Sequence, residues 1–237
     1  MKKSELLALY AGLRVTDVCD GLDAIGIIDD CTMDWEIRPL WRDAENFSHR
    51  FYGFAHTVRF VPSNRIVPRP MPLEEYKQWK SNWYRTIAPG PKEQISAGEV
   101  IVIDAAECHD VGFIGSNNAQ SWINHGAVGI VTNGGARDTD ELVKQHVPVY
   151  SKKISRGIRP GRLEWDAENV AIAVGGVRVF SGDLIVADGD GVIVVPIAHA
   201  EVVAQIAREI ANDDKKTRRR LYEEIGLKMD ETVDQLK

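Results

Sequence analysis

The sequence predicts a mixed α/β layered domain that ends in a helical tail. Three observations carry this. From Gly98 onward the chain follows a strand–turn–helix grammar, residues 170–195 are β-rich and punctuated by glycine turns, and residues 198–227 repeat apolar side chains at helical spacing. With 237 residues, 44% of them hydrophobic, the chain can bury roughly 70–75% of its unfolded surface without a disulfide or structural metal.

Residues 4–25 read as a helical hairpin. Leu6, Leu7, Leu9 and Tyr10 make one apolar stripe; Thr16 or Asp17 then caps a second helix through Val18, Leu22 and Ile25, which Gly26 stops. Asp17, Asp20 and Asp23 resemble a metal cluster in composition only. Asp17 falls in a first helical turn, where an acid meets the positive end of the helix, and solvation accounts for the other two. Residues 51–61 alternate as a strand. Residues 62–91 hold six of the ten prolines, and Pro68, Pro70 and Pro72, spaced by one residue, block regular structure there. Within that segment, residues 73–87 allow one short helix with Trp79 and Trp83 on a single face. The pair is expected to pack on the body of the protein or on a neighbouring subunit; the alternative is a lid.

Residues 99–104 form a buried-type strand. Residues 117–125 form a helix, opened by Gly115-Ser116-Asn117 and closed by Gly126. A second buried strand over 128–132 runs out into Gly134-Gly135-Ala136-Arg137-Asp138, followed by a short helix over 139–145 and a short strand over 147–150. Three β segments, 170–174, 184–187 and 192–195, are separated by Gly175-Gly176, Ser181-Gly182-Asp183 and Asp188-Gly189-Asp190-Gly191. In the tail helix, Lys215, Lys216, Arg218, Arg219 and Arg220 alternate with acids and read as a solvated face.

Charge and motif content exclude several classes. With 29 Lys+Arg against 35 Asp+Glu, the net charge of −6 speaks against a nucleic-acid or membrane-surface binder. No apolar run approaches the ~20 residues that span a bilayer, and Met1-Lys2-Lys3-Ser4-Glu5 opens a helix, with no signal-peptide cleavage site after it. Cys19, Cys31 and Cys108 lack metal-site spacing and leave an odd thiol, so a reducing cytoplasm is expected. Phosphate-cradling, dinucleotide, nucleophile-elbow and zinc-protease signatures are absent.

The stretch from Gly112 to Glu141 carries the most chemistry. A loop feeds a helix N-terminus, and a glycine-rich strand end then presents Arg137 beside Asp138. Backbone N–H groups at a helix start bind a carboxylate, arginine adds a forked grip, and an aspartate holds a hard cation whose other positions water fills. The set suits a small 2-oxo acid. The plain alternative is an Arg137–Asp138 ion pair closing a turn. His125 falls at a helix C-terminus and reads as structural; His109 lies nearby in sequence.

The same stretch resembles the RraA-like family, which includes the class II 4-hydroxy-4-methyl-2-oxoglutarate aldolases. Their pattern is a glycine and an acid, twenty residues, Arg-Asp, two residues and an acid; Gly115 and Arg137-Asp138-Thr139-Asp140-Glu141 match it in register. The runs from Thr16 to Gly26 and from Gly182 to Pro196 also resemble the family, so the likeness covers most of residues 14–61 and 98–226. It implies one swivelling β/β/α domain over residues 1–237, with the Pro/Trp-rich segment at about 62–91 as an insertion. It implies trimers or hexamers with active sites between subunits, and Mg²⁺- or Mn²⁺-dependent cleavage of 4-hydroxy-2-oxo acids to pyruvate, with oxaloacetate decarboxylation as a side activity. Arg137 would bind the pyruvyl oxygens and Asp138 the metal, while amides around Gly115, Ser116, Asn117 and Asn118 would hold the carboxylate. Asp213 or Asp214 of a neighbouring subunit would complete the metal's outer shell.

One residue departs from the pattern: Ser116 stands where the aldolases carry an acid. The leading expectation is a metal-dependent lyase working through a pyruvate enolate, with water as the proton carrier. The alternative is a non-catalytic regulator of the RraA type that docks on a ribonuclease or another protein. A methyltransferase label met in the family has no glycine-rich loop to support it.

Overall fold

A computed structural model describes every residue except Lys92, Cys108, His109 and Lys237, so the readings of Cys108 and His109 lie outside the described residues. In chain order the elements are α1 (Lys3–Leu9), α2 (Val15–Ala24), β1 (Arg38–Pro39), β2 (Phe51–Pro62), α3 (Leu73–Asn82), β3 (Glu99–Asp104), β4 (Gly112–Ile114) and α4 (Ser116–Asn124). They continue with β5 (Ala127–Ala136), α5 (Thr139–Lys144), β6 (Val149–Ile154), β7 (Leu163–Glu168), β8 (Ile172–Val174), β9 (Val177–Val179), β10 (Leu184–Asp188), β11 (Gly191–Val195) and α6 (Ala200–Ile225). A π-helical turn, Trp83–Ile87, extends α3.

The α2 helix starts just ahead of the expected cap. Arg14 is the boundary residue, and Asp17 closes the first turn by accepting the Arg14 amide at 2.8 Å and pairing with its guanidinium at 2.5 Å. Asp17 is therefore a cap, and Asp20 and Asp23 are exposed.

Nine strands form one mixed sheet in the order β1-β6-β5-β3-β2-β10-β11, with β4 added to β5 and β7 to β2; β8 and β9 pair as a separate hairpin. The central pairs β2–β3, β3–β5 and β5–β6 are parallel, as crossovers through helices require. Both faces are buried, which is why these strands read as continuous apolar runs. Along β3, Ile101 and Ile103 face one core with α4, α5 and the Trp83 turn, while Val100 and Val102 face another beneath the β8–β9 hairpin. A third cluster joins α1, α2 and α6 to β10 and β11. This is the expected α/β architecture, helices at both ends of the chain included.

Trp83 shows what the proline-rich segment does. It is 3% exposed, packs in the first core and donates its indole N–H to the Leu163 carbonyl at 3.0 Å, while Trp79 packs on it at 5.5 Å between centroids with the rings tilted by 54°. The expected packing on the body holds for this pair. Trp83→Ala should lower unfolding free energy by ~3–5 kcal/mol, the usual loss for a buried tryptophan; guanidinium titration of the two proteins measures it.

The basic run on α6 has partners beyond solvent. Lys215 donates to the Glu231 carbonyl at 3.0 Å, Arg218 to the Thr232 carbonyl at 2.6 Å, and Arg219 pairs with Asp234 at 3.1 Å. The cations tie the residues after α6 back along the helix and seat Val233 in a fully buried position. Among the described residues, no helix is long and apolar enough to cross a membrane.

Candidate active site

Two strand ends lie side by side. β4 runs parallel to β5, with Gly112 opposite Gly135 and Ile114 opposite Ala136, and the Arg137 amide donates to the Ile114 carbonyl at 2.8 Å. This places the start of α4 against Arg137 and Asp138, at the carboxyl ends of parallel strands where α/β sheets gather their ligands. The approach is too close for side chains. A Cβ on Gly112 would lie 2.6 Å from the Arg137 Cβ, and one on Gly115 would lie 2.7 Å from Asp138 Oδ2.

Asp138 is held in the left-handed region at φ 54°, unusual for a residue other than glycine. Its Oδ2 accepts the Ser116 amide at 3.3 Å and its Oδ1 accepts Arg137 Nε at 3.2 Å. The Ser116 amide, one of those expected to grip a carboxylate, is thus already turned toward Asp138. The Asn117 and Asn118 amides belong to the first turn of α4, where no acceptor exists within the helix, and both residues line the adjoining cavity. Arg137 spends only Nε on Asp138, so among the described residues its two Nη nitrogens have no partner.

The cavity measures about 400 Å³ and brings Gly115, Asn117, Asn118, Arg137 and Asp138 together. Ser116, the first residue of α4 and 9% exposed, does not line it, although its amide faces Asp138. Asp213 and Asp214 do not line it. They lie on α6, where Asp213 pairs with Lys216 at 2.8 Å and Asp214 with Arg14 at 3.2 Å. His125 is structural, as expected: its Nδ1 is 2.6 Å from the Ser121 carbonyl at the end of α4.

Three further residues wall the cavity and were not expected there: Lys80 of α3, Tyr84 of the turn after it, and Arg159. The proline-rich segment therefore packs on the body and also forms one side of the candidate site. Arg159 is 3% exposed, with its guanidinium carbon 4.6 Å from the Phe113 ring centroid and 4.9 Å from that of Tyr84. Burial pulls its pKa down to about 10, partly offset by Tyr84. Burial also pushes the Tyr84 hydroxyl up, against the pull of Arg159 and Arg137.

The donors present suit a hard divalent cation. Mg²⁺ keeps several waters and needs only one or two carboxylates besides substrate oxygens. Asp138, 36% exposed at the side chain, is such a carboxylate, and no group of three His, Cys, Asp or Glu that could cage a metal occurs among the described residues. A closed zinc site is therefore not offered, while a cation shared between Asp138, water and substrate fits.

The fold is a mixed α/β sheet that sets an Arg–Asp pair against a helix N-terminus, and comparison with known proteins supplies its family. The RraA-like family model (Aldolase/RraA) matches residues 15–194. Proteins of Burkholderia mallei (strain SAVP1) and Burkholderia pseudomallei (strain K96243), both bearing the provisional name 4-hydroxy-4-methyl-2-oxoglutarate aldolase, are 35% identical over 185 residues, covering 76% of this chain and 93% of theirs. The chain belongs to the RraA-like family. Among solved structures, an uncharacterised protein of Pseudomonas syringae pv. tomato DC3000 superposes with a TM-score of 0.71 at 23% identity, covering 98% of both chains. Streptomyces coelicolor RraAS2, an unusual member of the RNase ES inhibitor RraA protein family, gives 0.70 at 24% identity, covering 92% of this chain and 97% of that one. At these identities the likeness is one of fold.

Proposed function

We propose that this protein is a divalent-metal-dependent lyase that releases pyruvate from a 4-hydroxy-2-oxo acid, or decarboxylates oxaloacetate, through a pyruvate enolate. The observation that carries the reading is the Arg137–Asp138 strand end set against the first turn of α4 inside one cavity. Asp138 would hold Mg²⁺ or Mn²⁺, which when bound acts as a Lewis acid on the 2-oxo group. The Asn117 and Asn118 amides bind the substrate carboxylate, helped by the positive end of α4. The free Nη nitrogens of Arg137 bind the 2-oxo oxygen and stabilise the negative charge that grows there as the C3–C4 bond breaks. In the aldol cleavage, water takes the proton from the 4-hydroxyl as the second product's carbonyl forms, and water returns a proton to C3 of the enolate; in the decarboxylation only the return to C3 is needed.

A cavity walled by two arginines and a strained aspartate favours chemistry over the alternative of a purely regulatory protein that docks on a ribonuclease. In a trimer or hexamer, the outer-shell acid would be Asp213 or Asp214 of a neighbouring subunit; both are exposed here and paired with Lys216 and Arg14 respectively. The test is pyruvate release from a panel of 4-hydroxy-2-oxo acids and oxaloacetate, with and without Mg²⁺. Metal-dependent release supports the reading, and no release from any of them contradicts it.

Ser116 offers a gain-of-function check. Ser116→Asp adds a second carboxylate at the residue whose amide donates to Asp138, to grip water around the cation. An outer contact of that kind is worth ~10–100-fold in activity, so aldol cleavage should rise. Unchanged or lower turnover on the whole panel would mean that Ser116 serves a different substrate, or that no aldol chemistry takes place here.

A further inference from the structure

Arg159 is a buried cation without a counter-ion. Its Nη1 donates to the Pro89 carbonyl at 2.9 Å, its guanidinium carbon lies 5.8, 4.9 and 4.6 Å from the ring centroids of Phe60, Tyr84 and Phe113, and its Nε has no hydrogen-bond partner. No carboxylate pairs with it among the described residues, whereas Arg14, Arg59, Arg137 and Arg156 each have one. Buried guanidinium groups are ordinarily paired, because taking a lone charge out of water is costly. One that lines a cavity unpaired is a site made for an anion that arrives from outside.

We propose that Arg159 takes the distal carboxylate of a 2-oxo diacid whose 2-oxo acid end lies against Arg137 and the first turn of α4. The assignment rests on the lyase reading for the identity of the near end, and on the cavity for the far end, since Arg137, Tyr84 and Arg159 line the same space. Tyr84 acts as a positioning residue. It comes from the turn after α3, so the proline-rich segment contributes to substrate choice by holding the Arg159 guanidinium against its ring. Lys80 also lines the cavity, but its ammonium is directed over the Tyr76 ring at 5.7 Å and its stem is part-exposed, which makes it the weaker anion ligand.

The test compares two unreactive acids that differ only at the far end, 2-oxoglutarate and 2-oxopentanoate, by calorimetric titration of the full chain with Mg²⁺ present. A charge-assisted contact predicts that the wild type binds 2-oxoglutarate ~10–100-fold more tightly. Arg159→Met, which fills similar volume without charge, should erase that preference and leave 2-oxopentanoate binding unchanged. Equal or undetectable binding of the two acids by the wild type, a comparison that needs no variant, overturns the proposal. So does a preference that survives in Arg159→Met. Pyruvate release is scored separately: diacid preference without turnover on any substrate would contradict the lyase reading and leave the Arg159 site standing, and turnover without diacid preference would do the reverse.

Discussion

Arg137→Ala should lower turnover of the preferred 2-oxo acid by about 100–1000-fold, with no rescue by added Mg²⁺ or Mn²⁺. Arg137 gives a single nitrogen to Asp138 and keeps its two Nη nitrogens unengaged among the described residues, so its remaining donors serve whatever enters the cavity. Losing a charged donor at the oxygen where charge develops raises the barrier and weakens binding together. The effect on folding should be small. With side-chain exposures of 33% and 36%, the Arg137–Asp138 pair is worth at most ~1 kcal/mol of stability after solvent screening. If the pair merely closed a turn, the outcomes would invert: a lower melting temperature and unchanged kinetics. Thermal melts run beside kcat/KM measurements separate the two.

Asp138→Asn is expected to fail by a different route, through metal affinity. Asparagine also tolerates the left-handed backbone at φ 54° and keeps an oxygen to accept the Ser116 amide, so the fold should be retained. What is lost is the negative charge that draws a hard cation. The Mg²⁺ concentration for half-maximal activity should rise by at least the ~10–100-fold that removal of an outer-sphere partner costs, with partial rescue at excess metal. Half-maximal Mg²⁺ equal to that of the wild type would remove Asp138 from any role in metal binding. The contrast with Arg137→Ala, which metal should not rescue, gives each residue its own signature.

Much of this layout is legible in the residues, and the misses have local causes. Glu99–Asp104 announces itself because both of its faces are buried, and α6 because its apolar face repeats at helical spacing over 26 residues. The strand read as 128–132 in fact runs over Ala127–Ala136. Glycines at 134 and 135 look like a turn in isolation, but β4 and β6 flank them and supply the pairing. Similarly, β6 starts at Val149 and continues through Lys152 and Lys153, which tertiary pairing to β5 holds extended. β7 escaped notice because its Leu-Glu-Trp-Asp-Ala-Glu sequence has no buried-strand signature; it is an edge strand ordered by pairing with β2 across a bulge at Arg59 and Phe60.

At the site, Gly115, Arg137 and Asp138 could be placed from their spacing, and the fold does bring them together. Arg159 could not. Arg156, Arg159 and Arg162 stand three apart in one glycine- and proline-bearing loop, and nothing local tells that Arg156 is 87% exposed at its side chain while Arg159 is buried. That distinction is made by Phe60, Tyr84 and Phe113, which come from three distant parts of the chain.

The central claim is that the Arg137–Asp138 cavity forms a pyruvate enolate, and it can be tested without knowing the second half of the substrate. Pyruvate in deuterium oxide loses its C3 proton signals when an enzyme reversibly enolises it. With the wild-type protein and Mg²⁺, proton NMR should show exchange well above the uncatalysed rate, abolished by chelation and by Arg137→Ala. Exchange no faster than in buffer, in folded wild-type protein with metal present, would contradict the account.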